Sequence, residues 1–181
     1  MTSKEQLPQS VTNLLKTGRF IHLATSYKDF PHVSLMNYTY YHTEGNDYII
    51  ISTPTCTTKY NNILQNPNIS ILVHDWISVK NGSEAETGEP VSSKRRNSLY
   101  ELLANLNKNE LSRVSVMING KAEVIKEDNE KHDFYKSLHL NNAKIDEVQS
   151  KNYIEDKDNA IVLITIESCK VTDTDNNVVE Y

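Results

Sequence analysis

Four threonines and a lysine between residues 53 and 59 form a cluster whose residue types and spacing suit the binding of an anion. The cluster comprises Thr53, Thr55, Thr57, Thr58 and Lys59. Threonine oxygens at a helix start accept hydrogen bonds from the free amides of the first turn, and the same amides bind phosphate. Lys59 adds a positive charge at that point. The cluster indicates an anion site, with a plain capped helix and a solvated lysine as the alternative.

The segment from Ser52 to Asp75 must position this cluster, and its pattern predicts a strand, a turn, a short helix and a second strand. The helix is predicted to begin near Thr57. Its apolar stripe is formed by Tyr60, Ile63 and Leu64. Asn66-Pro67 ends the helix, because a proline pushes the residue before it out of the helical region. The second strand alternates apolar and other residues, with Ile69, Ile71 and Val73 on its buried face.

The composition limits the class of protein. The chain has 181 residues, a net charge of -5 and two cysteines. This favours a single domain and argues against a nucleic-acid surface, because such surfaces are basic. No secretory signal or long apolar run is present. These features predict a soluble protein of the cytoplasm, with the nucleus as the alternative compartment, that binds neither nucleic acid nor a membrane.

The residues before Ser52 predict one helix followed by three strands. The helix is marked by Val11, Leu14 and Leu15, and is closed by Gly18. The strands are predicted at Phe20–Thr25, Pro31–His42 and Tyr48–Ile51. Short connections between them favour an antiparallel meander. Strands this dense, with only brief helical interruptions, favour a barrel or a sandwich.

An insertion separates the two halves of the predicted sheet. Residues 78–111 are predicted to form a polar loop and then a leucine-rich helix. The apolar face of that helix packs either on the barrel or on another subunit. A strand begins at Val114, and Gly120 inside it indicates a bulge or a close approach of two backbones.

Two more elements complete a mainly β fold with peripheral α-helices. A helix is predicted from Asp128 to Leu138, with Phe134 and Leu138 facing inward. The nearly continuous apolar run Ala160–Ile166 predicts a last strand in a central position. The six histidines show no metal-ligand spacing, so no metal site is predicted.

Four runs of residues carry a resemblance to a known family. They are His22–Thr25, Pro31–Asn37, Ser52–Asp75 and Arg113–Glu123. With them the chain resembles the pyridoxamine 5'-phosphate oxidase family of FMN-binding split barrels. The spacing from Lys59 to Asn66-Pro67 is the most specific part. The leucine-rich segment before Leu111 resembles a fungal subgroup of the family.

The resemblance implies an antiparallel split β-barrel with short flanking helices, a homodimer, and FMN at the subunit interface. It also implies flavin-dependent oxidation or reduction of an unidentified small molecule. A flavin performs the redox chemistry itself, so no catalytic side chain is expected. Thr53, Thr58 and Lys59 match family positions around the FMN phosphate. The full set of expected cofactor-binding residues is Ser34, Asn37, Ser52, Thr53, Thr57, Thr58, Lys59 and Ser115.

Three departures from the family pattern bear on function. The arginine that the oxidases place early in the second strand is here Ser34, and the arginine before the helix lysine is here Thr58. Two guanidinium groups, each able to make a bidentate contact with phosphate, are therefore missing. The substrate signature of the oxidases has no counterpart after Glu167. Oxidation of pyridoxamine phosphate is therefore not expected, and the alternative function is a binding or structural barrel that has lost FMN.

Overall fold

The computed structural model of the protein describes residues 7–43, 45–75, 114–142 and 158–181. The predicted loop and leucine-rich helix at 78–111 lie outside these ranges. The described residues form three helices and eight strands. The helices are α1 (Gln9–Thr17), α2 (Thr58–Gln65) and α3 (His132–Asn142). The strands are β1 (Phe20–Tyr27), β2 (Phe30–Asn37), β3 (Thr39–Thr43), β4 (Asn46–Pro54), β5 (Asn68–His74), β6 (Val114–Ile125), β7 (Asn159–Asp173) and β8 (Val178–Glu180).

The strands form one antiparallel sheet whose order forces it to curve. The order is β2-β1-β5-β6-β7-β4-β3, and β8 pairs with β7. The two ends of this order, β2 and β3, follow each other in the chain with only Tyr38 between them. The sheet must therefore bend until its ends meet at Tyr38, although β2 and β3 are not paired with each other. The result is a split β-barrel, and the predicted fold class is confirmed.

Tyr38 is also where the predicted strand Pro31–His42 is wrong. The structure divides it into β2, which pairs with β1, and β3, which pairs with β4. Tyr38 is 8% exposed, and its hydroxyl donates to the carbonyl oxygen of Leu15 at 2.8 Å. The chain changes partner there because Tyr38 anchors it to α1. The predicted meander is wrong for the same reason, since β1 and β4 lie far apart in the sheet order.

The main core lies on the inner face of the curved sheet. Every second residue is buried in β1, in β5 and in β6 as far as Ala122, as expected for strands with one buried face. The helix α1 adds its three buried residues, Val11, Leu14 and Leu15, to this core, so that prediction is confirmed. β7 is buried on both faces from Ile161 to Ile164, which confirms its central position. It also continues to Asp173, well beyond the predicted end.

Helix α3 covers the outer face of β4 and β7, and its predicted inward face is right for Leu138, which packs against this part of the core, and wrong for Phe134. The helix begins at His132 rather than Asp128, and it buries His132, Tyr135 and His139. Phe134, predicted to face inward, is 50% exposed, and Leu138 is half-buried. Polar contacts fix this phase, because Nδ1 of His139 lies 2.9 Å from the buried hydroxyl of Thr39. None of the three described helices is both long and apolar enough to span a bilayer.

A bulge lies at Gly120, as its position in the strand predicts. The register between β6 and β7 shifts between Asn119 and Gly120. A Cβ atom at Gly120 would lie 2.3 Å from the carbonyl oxygen of Thr165, so a side chain there would collide with the neighbouring backbone. Glycine thus allows β6 and β7 to come together at this point.

Candidate anion site at the start of α2

Thr57 caps helix α2, which confirms the predicted helix start. Its hydroxyl oxygen accepts from the amide of Tyr60 at 3.4 Å and donates to the carbonyl oxygen of Pro54 at 2.8 Å. The Thr53 hydroxyl lies 3.1 Å from that of Thr57. Because the single hydroxyl proton of Thr57 goes to Pro54, Thr53 is the donor in this contact. The Thr57 hydroxyl then has its one donor and both acceptor positions filled.

Thr53 supports the turn from the inside. It is fully buried, and its hydroxyl bonds to Thr57. The turn is also tied to the start of β7, because the Thr55 amide donates to the carbonyl oxygen of Asp158 at 2.9 Å. Two of the expected cofactor-binding residues, Thr53 and Thr57, therefore hold the turn in shape, and their hydroxyls are engaged within the protein.

Thr58 and Lys59 are the expected residues that remain available at this turn. Thr58 is exposed and Lys59 is half-buried. The amides of the first helical turn have no carbonyl one turn back to bond to, and they carry the positive end of the helix dipole. No Asp or Glu of the described ranges forms an ion pair with Lys59. Burial lowers the pKa of Lys59, and the nearby Cys56 opposes that shift. A partly desolvated ammonium beside free amides suits an anionic ligand.

Two asparagines fix α2 on β1. The side-chain amide of Asn62 donates to the Thr25 hydroxyl at 3.1 Å, and that of Asn66 donates to the carbonyl and hydroxyl oxygens of Ser26, each at 3.2 Å. Asn62 is 7% exposed, whereas Leu64 is 53% exposed. The predicted membership of Leu64 in the buried stripe is therefore wrong. No local pattern in the sequence marks Asn62, because its partner lies 37 residues earlier.

Ser34 and Asn37 lie on opposite faces of β2. Ser34 pairs with the buried Leu23 of β1 and so shares its inner face. Its hydroxyl is 3.4 Å from Nδ1 of His32, and His32 pairs with Thr25, the residue that anchors α2. Ser34 therefore lies on the side of the β1–β2 pair that carries the helix. Asn37 lies on the outer face.

Ser115 is far from the turn within one chain. Ser52 pairs with Ile161 of β7, and Ile161 pairs with Ile125 of β6. Ser115 lies ten residues before Ile125 in the same strand, or about 33 Å along it at the usual rise per residue. Ser115 pairs with His74 on the outer face of the sheet. The structure thus brings Thr53, Thr57, Thr58 and Lys59 together and leaves Ser115 at the opposite end of the barrel.

Known proteins resemble this chain in sequence and in fold. The model of the pyridoxamine 5'-phosphate oxidase family matches residues 7–173. A pyridoxamine 5'-phosphate oxidase homolog from Saccharomyces cerevisiae is 36% identical, over 94% of this chain and 92% of its own.

Solved structures resemble the fold at low sequence identity. A heme binding protein from Mycobacterium smegmatis has a TM-score of 0.59 and 14% identity, covering 97% of this chain and 59% of its own. An FAD-binding protein from Mesorhizobium loti has a TM-score of 0.54 and 16% identity, covering 92% of this chain and 94% of its own. The barrel architecture and the family match over nearly the whole length of the chain point to the same family. This chain belongs to the pyridoxamine 5'-phosphate oxidase family.

Proposed function

We propose that this protein binds FMN, with the phosphate at the start of α2, and carries out flavin-dependent oxidation or reduction of a small molecule. The observation that carries the proposal is Lys59. It is half-buried beside the free amides of a helix start, and no carboxylate of the described ranges is paired with it. A phosphate supplies the negative charge that such a site lacks.

Some residues of the turn would contact a phosphate directly, and others would hold the turn in shape. The Lys59 ammonium, the Thr58 hydroxyl and the amides of Thr58 and Lys59 would contact the phosphate oxygens directly. The Tyr60 amide is engaged with the Thr57 hydroxyl. Thr53 and Thr57 would hold the turn rigid through their mutual bond, and Ser52 precedes them on β4. Bound FMN would supply the redox chemistry of its flavin ring. The chain itself binds and orients the cofactor, and no side chain is required as nucleophile or base.

We also propose that the protein is a homodimer formed through the outer face of the sheet. Leu35 of β2, Leu72 of β5 and Met117 of β6 lie in one row of the sheet, with His22 of β1 between Leu35 and Leu72, and the three apolar residues are 60%, 41% and 38% exposed. Val33, which is 63% exposed, lies on the same face of β2. An apolar area of this kind marks an interface. Asn37 and Ser115 lie on this face too, so a dimer would bring them to the boundary between subunits.

The cofactor proposal is tested by titrating flavin-free protein with FMN and following flavin fluorescence, with riboflavin as the ligand that lacks phosphate. FMN should bind much more tightly than riboflavin. Lys59→Gln should weaken FMN binding by about 1.5–3 kcal/mol, the value of a hydrogen bond to a charged group. Riboflavin binding should not change. Lys126→Gln replaces an exposed lysine elsewhere and should leave both affinities at the wild-type value. Equal FMN affinity in the Lys59 variant would place the phosphate elsewhere.

The homodimer is tested by light scattering after size-exclusion chromatography. The unmodified protein should elute with twice the mass of one chain, and Leu35→Glu should elute with the mass of one chain. Leu64→Glu is the matched control, because Leu64 is 53% exposed but lies on α2. A Leu35 variant that remains dimeric would exclude this face as the interface.

The second candidate is a barrel that binds another ligand and has lost FMN. The observation that favours it is Ser34, which stands where the oxidases have an arginine and whose hydroxyl lies beside His32 at 3.4 Å. Hemin is a useful third ligand in the titration, since a heme binding protein shares the fold. Absence of binding by FMN and riboflavin, with or without hemin binding, would replace the flavin proposal by this one.

A further inference from the structure

A polar cavity lies between α1 and the β3–β4 pair, away from the turn before α2. Its volume is about 370 Å³, at the lower end of the range of about 300–1,000 Å³ for small-molecule sites. Its polar lining consists of Gln9, Thr12, Lys16, Tyr40, His42 and Asp47. Asp47 lies six residues before Thr53 in β4, or about 20 Å along the strand. The cavity is therefore separate from the proposed phosphate site.

Asp47 organises the side chains at one wall of this cavity. Its Oδ1 atom accepts from the Tyr40 hydroxyl at 2.5 Å and lies 2.7 Å from Nδ1 of His42. The Asp47 side chain is only 14% exposed, so its charge is held by these short contacts rather than by water. Burial and the adjacent Asp47 carboxylate raise the pKa of Tyr40, which therefore keeps its proton and donates it to Asp47.

The same contact sets the tautomer of His42. Because the Asp47 carboxylate can only accept, the Nδ1 atom of His42 carries a proton. In the neutral form of the ring the lone pair then lies on Nε2. No hydrogen bond from Nε2 to another described residue is found, and the side chain is 44% exposed. A histidine oriented by a carboxylate, with its other nitrogen free, can accept a proton from a bound hydroxyl group.

Lys16 supplies a charge at the edge of the cavity. It lies in the last turn of α1 and is exposed. It forms no ion pair with any carboxylate in the ranges that the structure describes. The cavity thus offers a ligand one cation, Lys16, and one oriented proton acceptor, His42. The negative charge of Asp47 on the same wall is engaged by the Tyr40 hydroxyl and by Nδ1 of His42.

We propose that this cavity binds a small hydroxylated anion, either a hydroxycarboxylate or the phosphate monoester of a small polyol. The anionic group would pair with Lys16, and the hydroxyl group would donate to Nε2 of His42. Asp47 and Tyr40 would hold the imidazole in the required tautomer. This site needs no flavin and does not depend on the function proposed above.

The experiment is a titration of isotope-labelled, flavin-free full-length protein, followed by the NMR signals of the His42 imidazole and the Lys16 side chain. The probes are glycolate and glycerol 3-phosphate. Acetate lacks the hydroxyl, ethylene glycol lacks the charge, and sodium chloride matches the ionic strength. At least one hydroxylated anion should shift both signals saturably. Acetate should bind more weakly, and ethylene glycol and sodium chloride should produce no saturable shift.

Variants separate this site from a general effect of charge. Lys16→Gln should weaken binding about two- to fivefold, as expected for an exposed ion pair. His42→Gln should remove the advantage of the hydroxylated anion over the unhydroxylated one. Lys126→Gln should leave binding unchanged. The proposal is overturned if neither hydroxylated anion gives a saturable shift at His42, or if Lys16→Gln binds as tightly as the unmodified protein.

Discussion

His139 should make the stability of this protein fall between pH 7 and pH 5. The residue is 2% exposed under α3, and its Nδ1 lies 2.9 Å from the Thr39 hydroxyl. Burial lowers the pKa of His139 from 6.5 to about 4. The folded protein therefore keeps this imidazole neutral at a pH where the unfolded chain takes up a proton.

The sign and size of the effect follow from the two pKa values. Above pH 6.5 the imidazole is neutral in both states and contributes no pH dependence. As the pH falls towards 4, only the unfolded state gains the proton, so the free energy of unfolding decreases. At pH 5 the decrease is about 2 kcal/mol, from about 1.5 pH units at 1.36 kcal/mol each. This is a large part of the stability of a typical domain, which is about 5–15 kcal/mol.

The assay is urea denaturation at both pH values, with His139→Asn as the variant. An asparagine amide can replace Nδ1 as the partner of Thr39, but it does not titrate. The variant should start less stable because the ring leaves a cavity. Its loss between pH 7 and pH 5 should be about 2 kcal/mol smaller than that of the unmodified protein. Leu138→Ala is the control, because it removes an apolar contact and should lower stability equally at both pH values.

Two results would refute this reasoning. One is a His139→Asn variant that loses as much stability on acidification as the unmodified protein. The other is a His139 imidazole whose NMR signals titrate near pH 6.5 in the folded state. Either result would mean that water reaches this side chain and that its burial does not control its charge.

Three further substitutions test the packing by urea denaturation. Gly120→Ala should lower the free energy of unfolding by about 3 kcal/mol, because its Cβ would lie 2.3 Å from the Thr165 carbonyl oxygen. Gly45→Ala, at a residue with φ +82 but open space around it, should lower it by only about 1 kcal/mol. Equal losses in the two variants would contradict the predicted collision at Gly120. Asn62→Ala should cost about 1–3 kcal/mol by removing the bond between α2 and β1, and an unchanged midpoint would show that this bond does not hold the helix. Tyr38→Phe should cost about 1 kcal/mol by deleting its 2.8 Å bond to α1, and no loss would mean that water replaces it.

Features with local causes could be predicted from the sequence. Thr57 caps α2 through contacts within a few residues, and Asn66-Pro67 ends the helix through sterics between neighbours. Gly120 marked the bulge because a glycine inside a strand has few other uses. The alternation of β5 reflects one buried face, which any register of that strand preserves.

Features that depend on distant partners could not be predicted. Nothing between Pro31 and His42 marks the change of partner at Tyr38, because the aromatic and β-branched residues on both sides suit a strand equally well. The break depends on the Leu15 carbonyl, 23 residues away. Phe134 was wrongly predicted to face inward because it is more apolar than His139. The inward position of His139 depends on a hydroxyl 100 residues away.

Only some of the residues expected to bind FMN are free to contact a phosphate at the start of α2. The hydroxyls of Thr53 and Thr57 are engaged with each other and with the turn. Lys59 is the only charged residue among the eight expected cofactor-binding residues. One charge-assisted contact contributes about 1.5–3 kcal/mol, or about 10- to 150-fold in affinity. Loss of Lys59 should therefore reduce the preference for FMN over riboflavin by a factor in that range, while the Thr58 hydroxyl and the amides of Thr58 and Lys59 would keep part of it.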